Sequence, residues 1–336
     1  MNTPALGHPP PLLDVRGLSI SLRSRSGFIQ VVSDVSFTVA AGEALGIVGE
    51  SGSGKTLSML SLLQLLPQGA VARAERASYD GRDLLAQSNK QMAGIRGREI
   101  AFVFQDSLTA LNPVLSIGQQ ITEGMRLHFS MAKADAELRA VELLLQVGIP
   151  DPSLRLRQYP HEFSGGMRQR VCIAMALAGK PRLLIADEPT TALDVTVQAE
   201  IVNLIRQLQI DSGLTVIWVT HDLALLARIA DRVVVMYGGR VMEDARACDL
   251  FATPRHPYAA ALLRSARYDM TSSKQTDPIA TQSMEAPAPM GCPFAPRCDE
   301  ADDRCRATAP SLVSVPGNAH VACWARAGEL PGTRLV

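Results

Sequence analysis

The stretch GESGSGKT, Gly49 to Thr56, constrains this chain more than any other part of it. It fits the pattern G-x-x-x-x-G-K-[ST], with the β-rich run IQVVSDVSFTVAAGEALGIV before it and KTLSMLSLLQLL, whose apolar spacing predicts a buried helix, after it. A strand, a glycine loop and a helix in that order form a cradle for phosphate. Glycines let the backbone fold around phosphate oxygens, and loop amides and the helix N-terminus supply positive potential. The residues concerned are Gly49, Glu50, Ser51, Gly52, Ser53, Gly54, Lys55 and Thr56. Lys55 reaches the β- and γ-phosphates, and the Thr56 hydroxyl ligates magnesium.

Strand and helix signals alternate along the rest of the first 250 residues. LLDVRGLSISL reads as a strand, with a turn at Ser26-Gly27. EIAFVFQ, RLLIADEP, LTVIWVT and DRVVVMYGGRV read as further strands, several of them continuously apolar. Residues 116–128, 133–149, GGMRQRVCIAMALAG and about 194–211 read as helices. That alternation predicts an α/β domain with a largely parallel, buried sheet and a helical subdomain at about 106–180. The polar, proline-bearing stretch 268–290 reads as a linker, and no repeat indicates a second copy of the glycine loop.

The formal net charge of zero gives no electrostatic reason to expect nucleic acid as a partner. No apolar run approaches the ~20 residues needed to cross a bilayer. The first 11 residues carry no charged-then-apolar signal and read as a flexible leader.

Two further motifs carry chemistry. RLLIADEP places Asp187 and Glu188 at the end of a strand, where the aspartate can hold Mg²⁺ and the glutamate can polarise an attacking water. An acidic pair ending a strand is by itself more often a turn or a helix cap. In FSGGMRQR, Ser164 can cap a helix whose first amides belong to Gly165 and Gly166, which makes a second site suited to a phosphate anion. One ATP needs one phosphate loop, so a second such helix end implies a nucleotide held mainly by another subunit, although in isolation a capped helix with a glycine entry is the commoner reading.

Together these residues resemble the ATP-binding-cassette ATPases over about residues 12–245. The resemblance implies an α/β, ABC-type P-loop nucleotide-binding domain with a helical subdomain and a small C-terminal Cys-rich extension. It makes Gly49–Thr56 the Walker A loop, Gln105 the Q-loop glutamine and a magnesium ligand, and FSGGM the signature. Asp187 and Glu188 become the Walker B pair, ALD at 192–194 the D-loop with Asp194, and His221 the switch histidine. Thr56, Gln105 and Asp187 would serve Mg²⁺, while Lys55, Gln105, Glu188 and His221 would carry catalysis. Two cassettes would face head to tail, each ATP lying between one Walker A loop and the other subunit's Ser164-Gly165-Gly166. The signature departs from the usual pattern at Phe163 and Met167, and Phe28 is the aromatic nearest the adenine-stacking position.

The segments FATPRHPYAAALLRSA and CPFAPRC extend the resemblance to the C-terminal region of oligopeptide and dipeptide importer ATPases. The implied domains are a leader at 1–11, the cassette at 12–250, an HPY-containing extension and linker at 251–290, and a Cys-rich segment at 291–336. The implied partners are two transmembrane permease subunits, a second, homologous but different ATPase chain, and an extracytoplasmic solute-binding protein. The chain would then act peripherally, at the cytoplasmic face of the plasma (inner) membrane. A non-transport cassette ATPase is the alternative function.

Cys292, Cys298, Cys305 and Cys323 are spaced C-x5-C-x6-C-x17-C, while the other two cysteines, Cys172 and Cys248, stand apart. A reducing compartment disfavours disulfides. Structural zinc commonly uses C-x2-4-C knuckles, and none is present, although His320 could substitute as a ligand. Four thiolates from loops also suit an iron–sulfur cluster. The importer ATPases that the tail resembles can carry a [4Fe–4S] cluster there, which ranks first, with Zn²⁺ second.

Overall fold

The computed structural model of the chain describes residues 10–25, 27–191, 193–269 and 290–327. Most of the expected leader, Ser26 of the expected turn, Ala192 of the ALD triplet and nearly all of the expected linker lie outside the described residues.

Strands β1 (Leu13–Ser24) and β2 (Gly27–Val39) pair antiparallel. β3 (Ala44–Val48), buried at every position, runs into the glycine loop and α1 (Lys55–Leu62). The expected helix stops short because Leu63 turns its amide back to Leu60 and Gln64 adopts φ +52°. Short strands β4 (Val71–Arg73), β5 (Arg76–Tyr79) and β6 (Arg82–Asp83) follow, then α2 (Asn89–Ile95) and β7 (Ile100–Val103). Five helices come next: α3 (Ser107–Ala110), α4 (Ile117–Phe129), α5 (Lys133–Gln146), α6 (Pro152–Arg155) and α7 (Gly165–Leu177). β8 (Leu183–Asp187), α8 (Val195–Ser212), β9 (Thr215–Thr220), α9 (Leu223–Ile229), β10 (Arg232–Tyr237) and β11 (Arg240–Arg246) complete the α/β alternation. The C-terminal part holds α10 (Ala247–Ala252), α11 (Pro257–Asp269), α12 (Asp303–Ala307), β12 (Val313–Val315), β13 (Ala319–Val321) and α13 (Trp324–Ala327).

Two compact units emerge. The first comprises, among described residues, Ala40–Glu43 and Ala86–Trp218. Here β7 pairs parallel with β8, and β9 lies beside β8. Both β8 and β9 are buried throughout, and β8, paired parallel with β7, shows the burial that a parallel strand covered on both faces requires. Helix α7 packs against α4 and α5. The start of α4 is fixed by a capping box, in which the Ser116 side chain accepts from the Gln119 amide and Gln119 reaches back to Ser116.

The second unit comprises, among described residues, those within Pro10–Val39 and Ala44–Leu85 and, from Val219 onward, residues 219–269 and 290–327. It contains an antiparallel sheet in the order β2-β1-β5-β6, with β4 also on β1. A further run of strands is ordered β12-β13-β11-β10-β3. In it β10 pairs parallel with β3, and the remaining neighbours pair antiparallel.

The expected parallel pairing therefore holds for β3 with β10 and for β7 with β8. The antiparallel sheet goes beyond the expectation. DRVVVMYGGRV is also not one strand: Gly238 and Gly239 turn it into the β10–β11 hairpin. The apolar run continues across the turn, which hides the break.

Candidate nucleotide site and the cysteine-lined cavity

The phosphate loop is built entirely within the second unit. β3 delivers Gly49, and Gly54, at φ +92°, caps α1. Gly49 has no room for a side chain, since a Cβ there would lie 2.0 Å from the Met236 carbonyl oxygen. Lys55 is nearly buried and folds back onto its own loop. Its ammonium donates to the Gly49 carbonyl (2.7 Å), the Glu50 carbonyl (3.0 Å) and the Ser53 hydroxyl (3.4 Å). Phosphate oxygens, being charged, are stronger acceptors than these carbonyls, so an arriving triphosphate has a cation ready to exchange partners. Thr56 is exposed at the start of α1, with Ser51 and Gly52 exposed in the loop.

Within the first unit, Asp187 ends β8 and is buried. Glu188 follows at φ +44°, in the left-handed region that non-glycine residues seldom adopt. Glu188 Oε2 accepts from Gln105 Nε2 at 3.0 Å and from the Thr191 hydroxyl at 2.9 Å. The structure thus brings Gln105 and Glu188 together. It also adds Thr191, which sequence reasoning missed; a hydroxyl three residues after the glutamate is the signal that was there to read.

Ser164 is exposed and caps α7, accepting from the Met167 amide at 3.3 Å, with Gly165 and Gly166 in the first turn. Phe163, one of the two departures from the usual signature, is buried, with the Arg155 guanidinium 5.9 Å from its ring centroid. Asp194 caps α8 by accepting from the Val197 amide at 3.0 Å. His221, in the second unit, is exposed between β9 and the α9 cap Asp222. Phe28, at the N-terminal end of β2, is 62% exposed.

The cysteine segment touches the phosphate loop, which no sequence pattern indicated. Arg297 forms a two-pronged ion pair with Glu50, Nη1 to Oε2 at 2.9 Å and Nη2 to Oε1 at 3.1 Å. Nη1 also donates to the Tyr237 hydroxyl at 3.0 Å. From α11, the Tyr258 hydroxyl accepts the Glu50 amide at 3.1 Å. Tyr237, Tyr258 and Phe294 form one aromatic cluster, with centroid separations of 4.6, 5.2 and 5.4 Å. Burial, together with the nearby Glu50 carboxylate, pushes the Tyr258 hydroxyl's pKa up, so it remains a neutral phenol.

Cys292, Cys298, Cys305 and Cys323 all line one small cavity, together with His256, Phe294 and Trp324. Burial raises the pKa of Cys292, Cys298 and Cys305. Backbone amides oppose that at Cys292 (Phe294 and Ala295) and at Cys298 (Glu300). Amides aimed at sulfur favour a thiolate, the form that binds metal. Among the described residues, no three His, Cys, Asp or Glu side chains stand close enough together to hold a single metal ion. His320, the substitute ligand considered from sequence, instead sits in β13 opposite Asp244 and Ser314. The histidine beside the cavity is His256. Its pKa is lowered to about 4 by burial, so its ring is neutral, and its Nδ1 accepts the Tyr258 amide at 3.0 Å. Of the two separate cysteines, Cys172 is buried in α7, its pKa pushed up to about 12 by burial, and Cys248 is exposed.

A loop built around Lys55, an acidic pair ending a strand and a glycine-entry helix capped by serine define an ATP-hydrolysing cassette, and the chain belongs to the ABC transporter family. Residues 32–191 match that family, and residues 242–305 match the oligopeptide/dipeptide transporter C-terminal region. The dipeptide transport ATP-binding protein DppD of Escherichia coli (strain K12) is 46% identical over 305 residues, covering 90% of this chain and 92% of that protein. A protein of Brucella abortus (strain 2308) named for peptide import and ATP binding is 47% identical over 311 residues, covering 92% and 93%. Among solved structures, the ATP-binding cassette MJ0796, in a dimeric post-hydrolysis state with ADP and Pi, superposes with a TM-score of 0.62 at 26% identity, covering 70% of this chain and 98% of that one. The cassette cbiO1 from Clostridium perfringens gives a TM-score of 0.62 at 25% identity, covering 78% and 95%.

Proposed function

We propose that this chain is the ATP-hydrolysing subunit that powers import of di- or oligopeptides through a membrane permease. The observation that carries this reading is the pairing of a cassette's motifs with the oligopeptide/dipeptide C-terminal region in one chain. Relatives named for peptide and dipeptide transport support it over nine-tenths of the length. In this reading residues 12–250 are the cassette, with the helical subdomain at about 106–180, followed by the extension and linker (251–290) and the Cys-rich segment (291–336).

Among the described residues no helix is long and apolar enough to cross a membrane. In this reading, contact with the bilayer comes through permease partners at the cytoplasmic face, as the family suggests. A groove of about 1650 Å³ in the first unit, lined by α4, α5 and residues 153–159, offers Leu127, Leu138 and Tyr159 at its surface. We place a permease helix there. A second, related cassette would supply the facing Ser164-Gly165-Gly166 end, and an extracytoplasmic binding protein would deliver the solute.

In the catalytic step Glu188 would take the proton of the attacking water, held in place by Gln105 and Thr191. Lys55 and the loop amides would bind the β- and γ-phosphates, and His221 would support the γ-phosphate. Thr56, Gln105 and Asp187 would hold Mg²⁺, which neutralises phosphate charge. Deleting the gene should abolish uptake of labelled dipeptides while free amino acid uptake persists. The tagged chain should co-purify with two multi-spanning proteins. A chain that never associates with membranes, or peptide uptake that survives deletion, would overturn the reading.

For the cysteine cavity we propose a structural [4Fe–4S] cluster held by Cys292, Cys298, Cys305 and Cys323. Four thiols converge on one cavity, and backbone amides oppose the effect of burial at three of them, Cys292, Cys298 and Cys305. Cluster binding would contribute folding energy to a segment with little apolar core of its own. Anaerobically prepared chain should contain iron and acid-labile sulfide and show a visible charge-transfer band. Cys298→Ser should lose the band and lower Tm; zinc in place of iron would refute the assignment.

A further inference from the structure

We propose that Arg297 and Tyr258 are positioning residues for the phosphate loop, so that the C-terminal segment sets this cassette's affinity for ATP. The Glu50 carboxylate belongs to the loop that must receive a highly charged triphosphate. Left alone, it would repel that anion. Arg297 closes on it with both guanidinium nitrogens, in the forked geometry that arginine makes with carboxylates.

The clamp is itself held. Arg297 is only 15% exposed and Glu50 30% exposed. Its guanidinium lies 5.6 Å from the Tyr237 ring centroid and 5.8 Å from that of Phe294, and it bonds to the Tyr237 hydroxyl. Tyr237 ends β10, one residue beyond the Met236 carbonyl that Gly49 abuts.

The backbone of Glu50 is fixed from the other side. Its amide is donated to the Tyr258 hydroxyl, and its carbonyl accepts from Lys55. Every polar handle of this one residue is therefore taken up: carboxylate by the cysteine segment, amide by α11, carbonyl by the catalytic lysine. Arg297 lies between Cys292 and Cys298, so whatever orders those cysteines also aims the guanidinium. The loop is pre-shaped by groups 208 and 247 residues away in sequence.

This inference rests on the ATP-hydrolysing reading and not on the identity of the solute or of any metal. It is tested with the full-length chain by equilibrium ATP binding and steady-state hydrolysis. Arg297→Ala should raise Kd and KM for ATP roughly tenfold, less than for a fully buried pair because Glu50 keeps some solvent. The value of kcat should stay within about twofold, as expected when uniform binding is lost.

Arg297→Lys, which keeps the charge but not the fork, should fall in between. Adding Glu50→Gln to Arg297→Ala should restore affinity, since the repelling carboxylate is then gone. Tyr258→Phe keeps the aromatic cluster and removes only the acceptor, so it should raise KM a few-fold without lowering Tm. Should Arg297→Ala not fold, the Lys and Phe variants decide. Unchanged KM in folded variants, a loss confined to kcat, or no rescue by Glu50→Gln would overturn the proposal. A wild-type chain that binds no ATP would instead refute the ATPase reading beneath it.

Discussion

Glu188→Gln should reduce ATP hydrolysis by roughly 10²–10⁴-fold while leaving ATP binding intact. Of the two carboxylates at the end of β8, Asp187 is buried, and Glu188 is the one that already accepts from Gln105 and Thr191. Glutamine has the same shape and can occupy the same left-handed turn, but it cannot serve as a base. Phosphate release at saturating ATP, measured beside nucleotide binding on the same preparation, separates the two effects. A variant retaining more than about a tenth of wild-type kcat would show that Glu188 is not the base.

Gly49→Ala should have a different and equally severe effect. A methyl group there would sit 2.0 Å from the Met236 carbonyl oxygen and 2.9 Å from the Ser53 hydroxyl. The first of these is backbone and cannot rotate away, so either the loop or the end of β10 must move. Overpacking of this kind costs about 1–3 kcal/mol, a few degrees in Tm for a chain of this size. The displaced loop would also lose its registration with phosphate, and ATP affinity should fall by tenfold or more. Calorimetry with ATP titration checks both; a variant with unchanged Tm and unchanged affinity would refute this account.

What could be read from sequence was what is encoded locally. A phosphate loop is a run of eight residues whose amides converge by their own backbone geometry, so Gly49–Thr56 announces itself, and β3 and α1 follow from their apolar patterns. The capped start of α7 was likewise legible, because Ser164 carries the signal in place, and the Ser116 and Asp194 caps of α4 and α8 are signals of the same local kind that went unread. The antiparallel pairing of β1 with β5 was not, since two-to-four-residue strands such as β4, β5 and β6 lack a period to detect. The contact of Glu50 with Arg297 was invisible for another reason. Each residue was quoted in its own motif, but nothing in either motif tells which distant residue its charge will meet.

β13 lies along β11, with Glu243 opposite Val321, Asp244 opposite His320, and the Ala322 amide donated to the Met242 carbonyl. β12 pairs with β13 in turn, from Val313 opposite Val321 to Val315 opposite Ala319. Without them, β11 would present its outward row of amides and carbonyls as a template for another chain to pair with. The tail thus acts as a built-in guard against edge-to-edge aggregation. A shortened chain would carry an open, buried-type strand into solvent even where its catalytic motifs were untouched.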